Sequence, residues 1–106
     1  MPSQLGQLSL GAITPKLAQL TDQLLFDDIW QRPGLSPRER SLITVATLVA
    51  LNRSEQLPFH LRLAQENGLN RETLAELVTH LAFYAGWPCA ATAARLLQET
   101  FNQEEQ

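Results

Sequence analysis

Apolar side chains recur at helical spacing in five stretches of the chain. The first covers residues 14–30, where leucines and an isoleucine follow a period of 3.6. Thr14 in the N-cap position and Pro15 at the first helical position mark the start of this helix, and the Pro-Gly pair at 33–34 marks a break after it. Residues 1–13 hold Gly, Ser, Gln and Leu without a sustained period, and we expect an irregular N-terminal arm there.

A capping box precedes the most apolar stretch of the chain. Ser36 and Glu39 have the spacing at which each side chain satisfies a backbone donor of the other, and Pro37 stands at the first helical position. Residues 42–51 follow and are apolar almost all round, which predicts a buried central helix.

This apolar stretch over residues 42–51 is too short for a membrane span, which needs about 20 residues. No apolar block follows a positive charge over residues 1–16, so we expect a cytoplasmic protein without a membrane partner.

Two further helices have clear start and stop signals. Ser54 can cap a helix that ends at Gly68, although Pro58 lacks an N–H group and so predicts a late start or a kink. Asn70 caps the next helix, whose apolar residues recur at i, i+3, i+4, i+7, i+8 and i+11 before Gly86 closes it.

The fifth helix begins at Pro88 and is dense in alanine, which permits close approach between helices within or between subunits. No stretch alternates apolar and polar residues as a β-strand does. The chain is therefore predicted to be all-α, a compact bundle of about five helices. These helices form a single domain over residues 14–104 behind the arm over residues 1–13.

Composition and charge narrow the function classes. With 106 residues, of which 44% are apolar, the chain has one marginal core, and burial against another subunit would stabilise it. Cys89 is the only cysteine, which excludes an intramolecular disulfide framework and, with two histidines, a structural zinc module. Seven Arg and one Lys stand against eleven Asp and Glu without a basic stripe, so nucleic acid is not an expected partner.

The candidate chemical groups are two histidines on predicted helices. His60 follows Glu55 by five residues, and Glu76, His80 and Tyr84 form a row at i, i+4 and i+8. Two histidines on adjacent helices beside carboxylates can act as an acid–base pair. The other interpretations are hydrogen-bonded core or interface histidines, or a two-histidine metal site, which we favour least.

The arginines and the cysteine each leave two interpretations. Arg38 and Arg40 lie in the first turn of a helix, the unfavourable end for a cation. They pair either with Glu39 or another helix, or with both oxygens of a ligand carboxylate. Cys89 lies in the first turn of the fifth helix, where a thiol can be activated. Because no second cysteine can resolve it, a small packed thiol is the favoured interpretation.

Three motifs follow one another along residues 24–101. They are Trp30-x-Arg32-Pro33-Gly34-Leu35-x-x-Arg38-x-Arg40-Ser41-Leu42-Ile43-Thr44, Glu55-x-x-x-x-His60-x-x-x-Ala64-x-x-x-Gly68, and the group of Glu76, His80, Tyr84-Ala85-Gly86-x-Pro88-x-Ala90. In this combination the chain resembles the carboxymuconolactone decarboxylase family, whose fold is related to that of alkyl hydroperoxide reductase D. The resemblance implies an all-helical protein that self-associates, commonly as a trimer or hexamer, with its sites near subunit contacts.

The resemblance also implies a lyase of aromatic-compound catabolism that requires no cofactor. The family's substrate is a butenolide with one carboxylate on its γ carbon and a second on a side arm. When CO₂ leaves, the electron pair moves through the ring double bond into the lactone carbonyl, and the α carbon is then protonated. The enzyme has to bind a small dianion, stabilise the developing oxyanion and deliver one proton.

The proton-transfer tasks fall to four residues of this chain on that resemblance. His60 is the expected proton donor and Glu55 is expected to orient it. His80 is the second choice of donor, and Tyr84 can donate a further hydrogen bond to the substrate.

The expected substrate-binding residues are mainly arginines. Arg40 is the first choice for the carboxylates of the dianion, with Arg38 or Arg53 as second choice. Trp87 lies near the expected pocket, where its bulk can change the substrate. The resemblance implies no metal ligands.

Two alternatives to a decarboxylase stay open. The alkyl hydroperoxide reductase D branch uses a Cys-x-x-Cys followed four residues later by His, helped by an upstream Glu. With His60 in the place of that histidine, Arg53 and Gln56 stand where the two thiols should be and Ser41 stands near the Glu. A redox member of the family would therefore lack its nucleophile, since Cys89 lies on another helix. The second alternative is a non-catalytic helical module that binds a small molecule.

Overall fold

The computed structural model describes residues 2–104. Those residues form helices and turns and include no β-strand, which confirms the all-α prediction. In chain order the elements are α1 (Leu5–Leu10), α2 (Pro15–Leu20), a π-helical segment (Thr21–Phe26), a 3-10 turn (Ile29–Gln31), α3 (Pro37–Ala50), α4 (Leu57–Glu66), α5 (Arg71–Ala85) and α6 (Trp87–Glu104). Contacts divide the chain into a first unit, Met1–Pro37, and a second unit, Arg38–Gln106. The predicted boundaries between an arm and a single domain stay a prediction.

Asp22 organises the first unit. Its carboxylate accepts hydrogen bonds from the backbone N–H groups of Gly6 (2.7 Å) and Gln7 (3.0 Å) and from the Ser3 hydroxyl (2.8 Å). Burial raises the pKa of Asp22, but these donors outweigh it and hold the pKa below its usual value. Gly6 permits α1 and α2 to approach closely, because a Cβ atom at position 6 would lie 2.5 Å from the Ala18 carbonyl oxygen.

Two expectations for the first unit are wrong. Helix α1 lies in the segment expected to be irregular, because Asp22 caps its N–H groups from a distant position in the sequence. The helix predicted over residues 14–30 is not a continuous α-helix, since α2 passes into the π-helical segment at Thr21 and a 3-10 turn begins at Ile29. Asp22 lies in this wider π-helical segment. Its long-range hydrogen bonds therefore form at the place where the chain leaves the regular 3.6-residue helical period.

In the second unit, α3 and α4 form a hairpin joined by a Schellman motif. Helix α3 begins at Pro37, as the capping box predicts. At its other end the N–H group of Arg53 donates to the Leu48 carbonyl (2.8 Å) and that of Asn52 donates to the Val49 carbonyl (3.1 Å). Asn52 adopts the left-handed conformation (φ 57°) that the motif requires. This turn fixes the direction in which the chain enters α4.

Helix α4 starts late and ends at a glycine, as predicted. It begins at Leu57, after the serine cap signal, because Pro58 is tolerated only in the first turn. At its end the Leu69 N–H group donates to the Ala64 carbonyl (2.9 Å) in a second Schellman motif. Gly68 occupies the left-handed position of that motif with φ 100°, and Leu69 beside it is fully buried.

Helices α5 and α6 complete the second unit. The side chain of Asn70 accepts a hydrogen bond from the Thr73 N–H group (2.8 Å) and so caps α5 as predicted. Gly86, with φ 103°, separates α5 from α6. The core that these helices share with α3 and α4 consists of Val45, Val49, Leu57, Leu61, Ala64, Leu69, Leu74, Leu77, Val78, Ala90, Ala93, Leu96 and Leu97.

The prediction of a buried central helix holds for one face of α3 only. Only a stripe at four-residue spacing, which includes Val45 and Val49, is fully buried. Ile43 remains 52% exposed and Leu51 remains 59% exposed, because the shared core covers one face of the helix. None of the described helices has the length and apolar character needed to cross a bilayer.

Candidate functional site

The predicted site residues of the α3–α4 hairpin lie at different positions along the two helices. The side-chain amide of Asn67 donates a hydrogen bond to the hydroxyl of Ser41 (2.9 Å), which pairs the start of α3 with the end of α4. A helix rises 1.5 Å per residue, so His60 lies about 10 Å along the chain axis from Asn67, towards the Asn52 turn. Arg40 immediately precedes Ser41 in the first turn of α3. Arg40 therefore lies towards the C-terminal end of α4, whereas His60 lies in the first turn of that helix.

His60 lies on α4 and is half-buried, with its Nδ1 atom inside the protein. Its ring meets the Phe59 ring edge-on, at 4.9 Å between centroids. Burial disfavours the charged imidazolium and lowers the pKa of His60 below its usual value. The imidazole is therefore mainly neutral at pH 7, and a bound anion nearby would favour its protonated form.

Glu55 and Arg53 lie in the turn that precedes α4, and both are exposed. The Leu57 N–H group donates to the Arg53 carbonyl (3.2 Å), so helical hydrogen bonding extends back to Arg53. Neither Glu55 nor Arg53 forms a side-chain hydrogen bond or ion pair within residues 2–104. That Glu55 orients His60 stays a prediction.

Arg38 and Arg40 lie at the opposite end of the hairpin. The Cδ atom of Arg38 lies 3.9 Å from the position that a Cβ atom on Gly68 would take. The Arg38 side chain thus lies over the C-terminal end of α4, where carbonyl groups favour a positive charge. This contact explains how the positive charge of Arg38 is tolerated in the first turn of α3. Arg40 is half-buried and its Nε atom lies inside the protein.

His80 lines a groove between α3 and α5. The groove has a volume of about 390 Å³ and is bounded by Leu42, Ala46, Thr73, Glu76, Leu77, His80 and Leu81. The rings of His80 and Tyr84 are 4.9 Å apart between centroids and tilted by 31°. The structure therefore brings together the Glu76, His80 and Tyr84 row along one side of α5. His80 and Tyr84 are both exposed.

Trp87 lies at the start of α6, in a different groove. Its ring meets the Phe83 ring edge-on at 5.2 Å, and both rings border an apolar groove of about 370 Å³ between α5 and α6. None of the residues that line this groove lies on α3 or α4. Cys89, in the first turn of α6, is half-buried with a free thiol. Its place on a helix other than that of His60 is as expected.

The predicted site residues thus fall into three groups within the second unit. One is His60 with Arg53 and Glu55, one is Arg38 with Arg40, and one is His80 with Tyr84. Trp87 lies apart from these groups, in the groove beside Phe83. In the part of the chain that the structure describes, no three metal-ligating side chains come together.

Sequence reasoning did not select two polar residues of the hairpin as site candidates. Gln56 lies between Arg53 and His60, three residues after the first and four before the second, and its exposed side chain does not cap α4. Its spacing could have revealed it, because Arg53, Gln56 and His60 recur at i, i+3 and i+7. Asn67 pairs with Ser41, and no local pattern indicates that long-range bond.

Residues 2–104 thus form an all-helical protein that carries histidines and arginines on and beside its short helices. The model of the carboxymuconolactone decarboxylase family matches residues 15–99, which is most of the chain. The chain belongs to the carboxymuconolactone decarboxylase family, and the family expected from the three motifs is confirmed.

Two curated relatives are decarboxylases. The 4-carboxymuconolactone decarboxylase of Acinetobacter baylyi is 42% identical over 75 residues, which are 71% of this chain and 56% of the relative. A nitrosuccinic acid decarboxylase of Metarhizium robertsii is 33% identical over 84 residues, which are 79% of this chain and 59% of the relative. The chain therefore spans less than two thirds of the length of either relative.

Proposed function

We propose that this chain removes CO₂ from a small dicarboxylic acid whose electron pair is accepted by a group on the substrate itself. The observation that carries the proposal is that two relatives, 42% and 33% identical to this chain, decarboxylate chemically different acids. A carboxylated lactone similar to 4-carboxymuconolactone is the first-choice substrate, since that relative has the higher identity.

The two acids share one reaction. In each, a carboxylate leaves as CO₂ when the electrons of the broken C–C bond enter an acceptor, which is the lactone carbonyl in one acid and the nitro group in the other. The resulting anion carries its charge on oxygen and takes up one proton at carbon. A second carboxylate takes no part in bond breaking and serves as a binding group. This mechanism needs no cofactor, because the acceptor belongs to the substrate.

His60 is the proposed proton donor for the carbon. Its burial keeps it mainly neutral in the free protein, and a bound dianion would raise the proportion of imidazolium. Glu55 would orient it. His80 and Tyr84, which contact each other beside the groove of α5, are the second-choice donors.

The proposed carboxylate-binding residues are Arg40, Arg38 and Arg53. Trp87 would limit the size of the substrate. Self-association as a trimer or hexamer is part of the proposal, because a second copy would cover the exposed rings on α5 and α6.

Release of CO₂ from 4-carboxymuconolactone and from nitrosuccinate tests the proposal. We expect turnover of at least one acid and a loss of about 100-fold or more in kcat for His60→Gln, the usual contribution of a positioned acid. Arg95→Gln, which removes an exposed ion pair on α6 (3.0 Å), is the control and should leave the rate unchanged. The proposal is wrong if neither acid, nor any other carboxylated lactone, is decarboxylated.

The same preparation addresses the two alternatives. A redox role would require Cys89, so reduction of a hydroperoxide that is unchanged in Cys89→Ser removes the thiol mechanism. A non-catalytic module would bind the acids without releasing CO₂.

A further inference from the structure

Arg53, Gln56 and His60 lie on one face of the chain as it enters α4. The Leu57 N–H group donates to the Arg53 carbonyl (3.2 Å), which closes one helical turn just before α4 begins at Leu57. Gln56 itself has helical backbone angles (φ −87°, ψ −19°). At 100° per residue, positions i and i+7 lie about 20° apart, and position i+3 lies about 60° from the first and about 40° from the second. The three side chains therefore form a polar strip, which we call the α4 strip.

The α4 strip runs from solvent towards the interior. Arg53 and Gln56 are exposed, whereas His60 is half-buried. The Cα–Cβ bonds of a helix tilt towards its N-terminus, which for His60 is the end that carries Gln56 and Arg53. Arg53 lies about 10 Å along the helix from His60, a length that a small dicarboxylate together with two polar contacts can bridge.

Arg40 is less well placed to share a ligand with His60. Arg40 is next to Ser41, whose hydroxyl accepts a hydrogen bond from Asn67 (2.9 Å) at the C-terminal end of α4, whereas Arg53 precedes the N-terminal end of that helix. Arg53 also has no competing intramolecular pair within the described residues. The strip therefore offers a more direct arginine–histidine pairing than the one that sequence reasoning favoured.

We propose, on the basis of the proposed function, that the α4 strip is the substrate-binding surface of the reaction. Arg53 binds the carboxylate that the substrate retains. The side-chain amide of Gln56 donates a hydrogen bond to the acceptor oxygen, on which negative charge develops when CO₂ leaves. His60 then gives its proton to the carbon and is reprotonated by solvent.

The reaction balances on this surface. The C–CO₂ bond breaks, its electron pair moves into the lactone carbonyl or the nitro group, and CO₂ departs. The proton from His60 forms the new C–H bond as the electron pair returns to carbon. The first turn of α4 supports the developing anion, because helix N-termini favour negative charge.

Variants in the turn before α4, matched with control variants on α4, separate these roles. Arg53→Gln should raise KM about 10- to 100-fold with little change in kcat, because a charge-assisted carboxylate bond is lost. Gln56→Leu should lower kcat about 100-fold, as the loss of an oxyanion donor does. Arg62→Gln and Gln65→Leu are the controls, since each lies nine residues further along and hence on the opposite face of α4. Thermal melting followed by circular dichroism checks that all four variants fold.

Binding of succinate gives a readout that is independent of turnover. Succinate keeps both carboxylates of nitrosuccinate and lacks the nitro group, so calorimetry should show binding weakened by Arg53→Gln about 10- to 100-fold. Gln56→Leu should change the dissociation constant less than about 2-fold, because Gln56 is assigned to the acceptor that succinate lacks.

The outcomes distinguish the two proposals. If the unmodified protein decarboxylates an acid and both strip variants match their controls in KM and kcat, the α4 strip is wrong and the proposed function stands. If no acid is decarboxylated but Arg53→Gln still weakens succinate binding, the proposed function is wrong and the carboxylate assignment of Arg53 stands. Absence of succinate binding to the unmodified protein overturns that assignment.

Discussion

His60 combines a polar group with a half-buried position, and that combination governs its chemistry. Burial lowers its pKa, so the folded protein binds a proton at His60 less readily than the unfolded chain does. His80 and Tyr84 stand in contact on an exposed helix face instead. The sequence named both histidines as candidates, but only the packing around α4 distinguishes their environments.

The lowered pKa of His60 predicts a pH dependence of stability. Below the ordinary histidine pKa of 6.5 the unfolded chain becomes protonated first, so the free energy of unfolding falls as the pH drops from 7.5 to 5.5. The contribution of His60 to this fall should be less than about 1 kcal/mol, since solvent screens a half-exposed ring. Urea unfolding of the unmodified protein and of His60→Gln at both pH values measures it. A pH dependence that is equal in the two proteins contradicts the prediction.

The helix ends of the second unit depend on single backbone conformations. Gly68 has φ 100° in the motif that ends α4, and Asn52 has φ 57° in the motif that ends α3. An asparagine tolerates the left-handed region better than most residues, which suits it to the Asn52 position. These two turns set the direction of the α3–α4 hairpin and thereby the place of the α4 strip.

Gly68→Ala should destabilise the protein by about 1–2 kcal/mol, the cost of a left-handed residue with a Cβ atom. Steric crowding adds little, because the new Cβ would lie 3.9 Å from Arg38 Cδ, an ordinary contact. Gly34→Ala is the control, since its Cβ would meet nothing within 4 Å and its φ is not positive. Chemical denaturation compares the two. Equal stability of both variants would show that the conformation at Gly68 carries no cost.

Local signals predicted the second unit better than the first. The caps and breakers at Pro37, Asn70 and Gly86 act over a few residues, so the sequence alone places the helix ends there. Helix α1 and the π-helical segment depend on Asp22, whose partners lie up to nineteen residues away, and no periodic pattern records such a bond. The same limit applies to the candidate site. Spacing could place Arg53 and His60 on one face, but the position of Arg40 towards the other end of α4 follows only from the long-range Ser41–Asn67 bond.

At the scale of the whole molecule, α5 and α6 present exposed aromatic rings. Phe83 is 73% exposed, Tyr84 is 79% exposed and Trp87 is 64% exposed, and the groove beside Phe83 and Trp87 is lined by small and apolar side chains. A chain of this size buries a modest share of its surface, so covering such a patch would stabilise it appreciably. The alanines of α6 would allow a helix of another copy to approach closely.

Self-association through α5 and α6 predicts that a polar side chain at Trp87 dissociates the oligomer. We expect a trimer or hexamer in sedimentation equilibrium and a shift towards the monomer in Trp87→Gln, because the variant leaves an amide without partners in an apolar contact. Ile13→Gln is the control, since Ile13 is 89% exposed and belongs to the first unit. A monomeric unmodified protein, or an oligomer that survives Trp87→Gln unchanged, would show that this face is not the contact between copies.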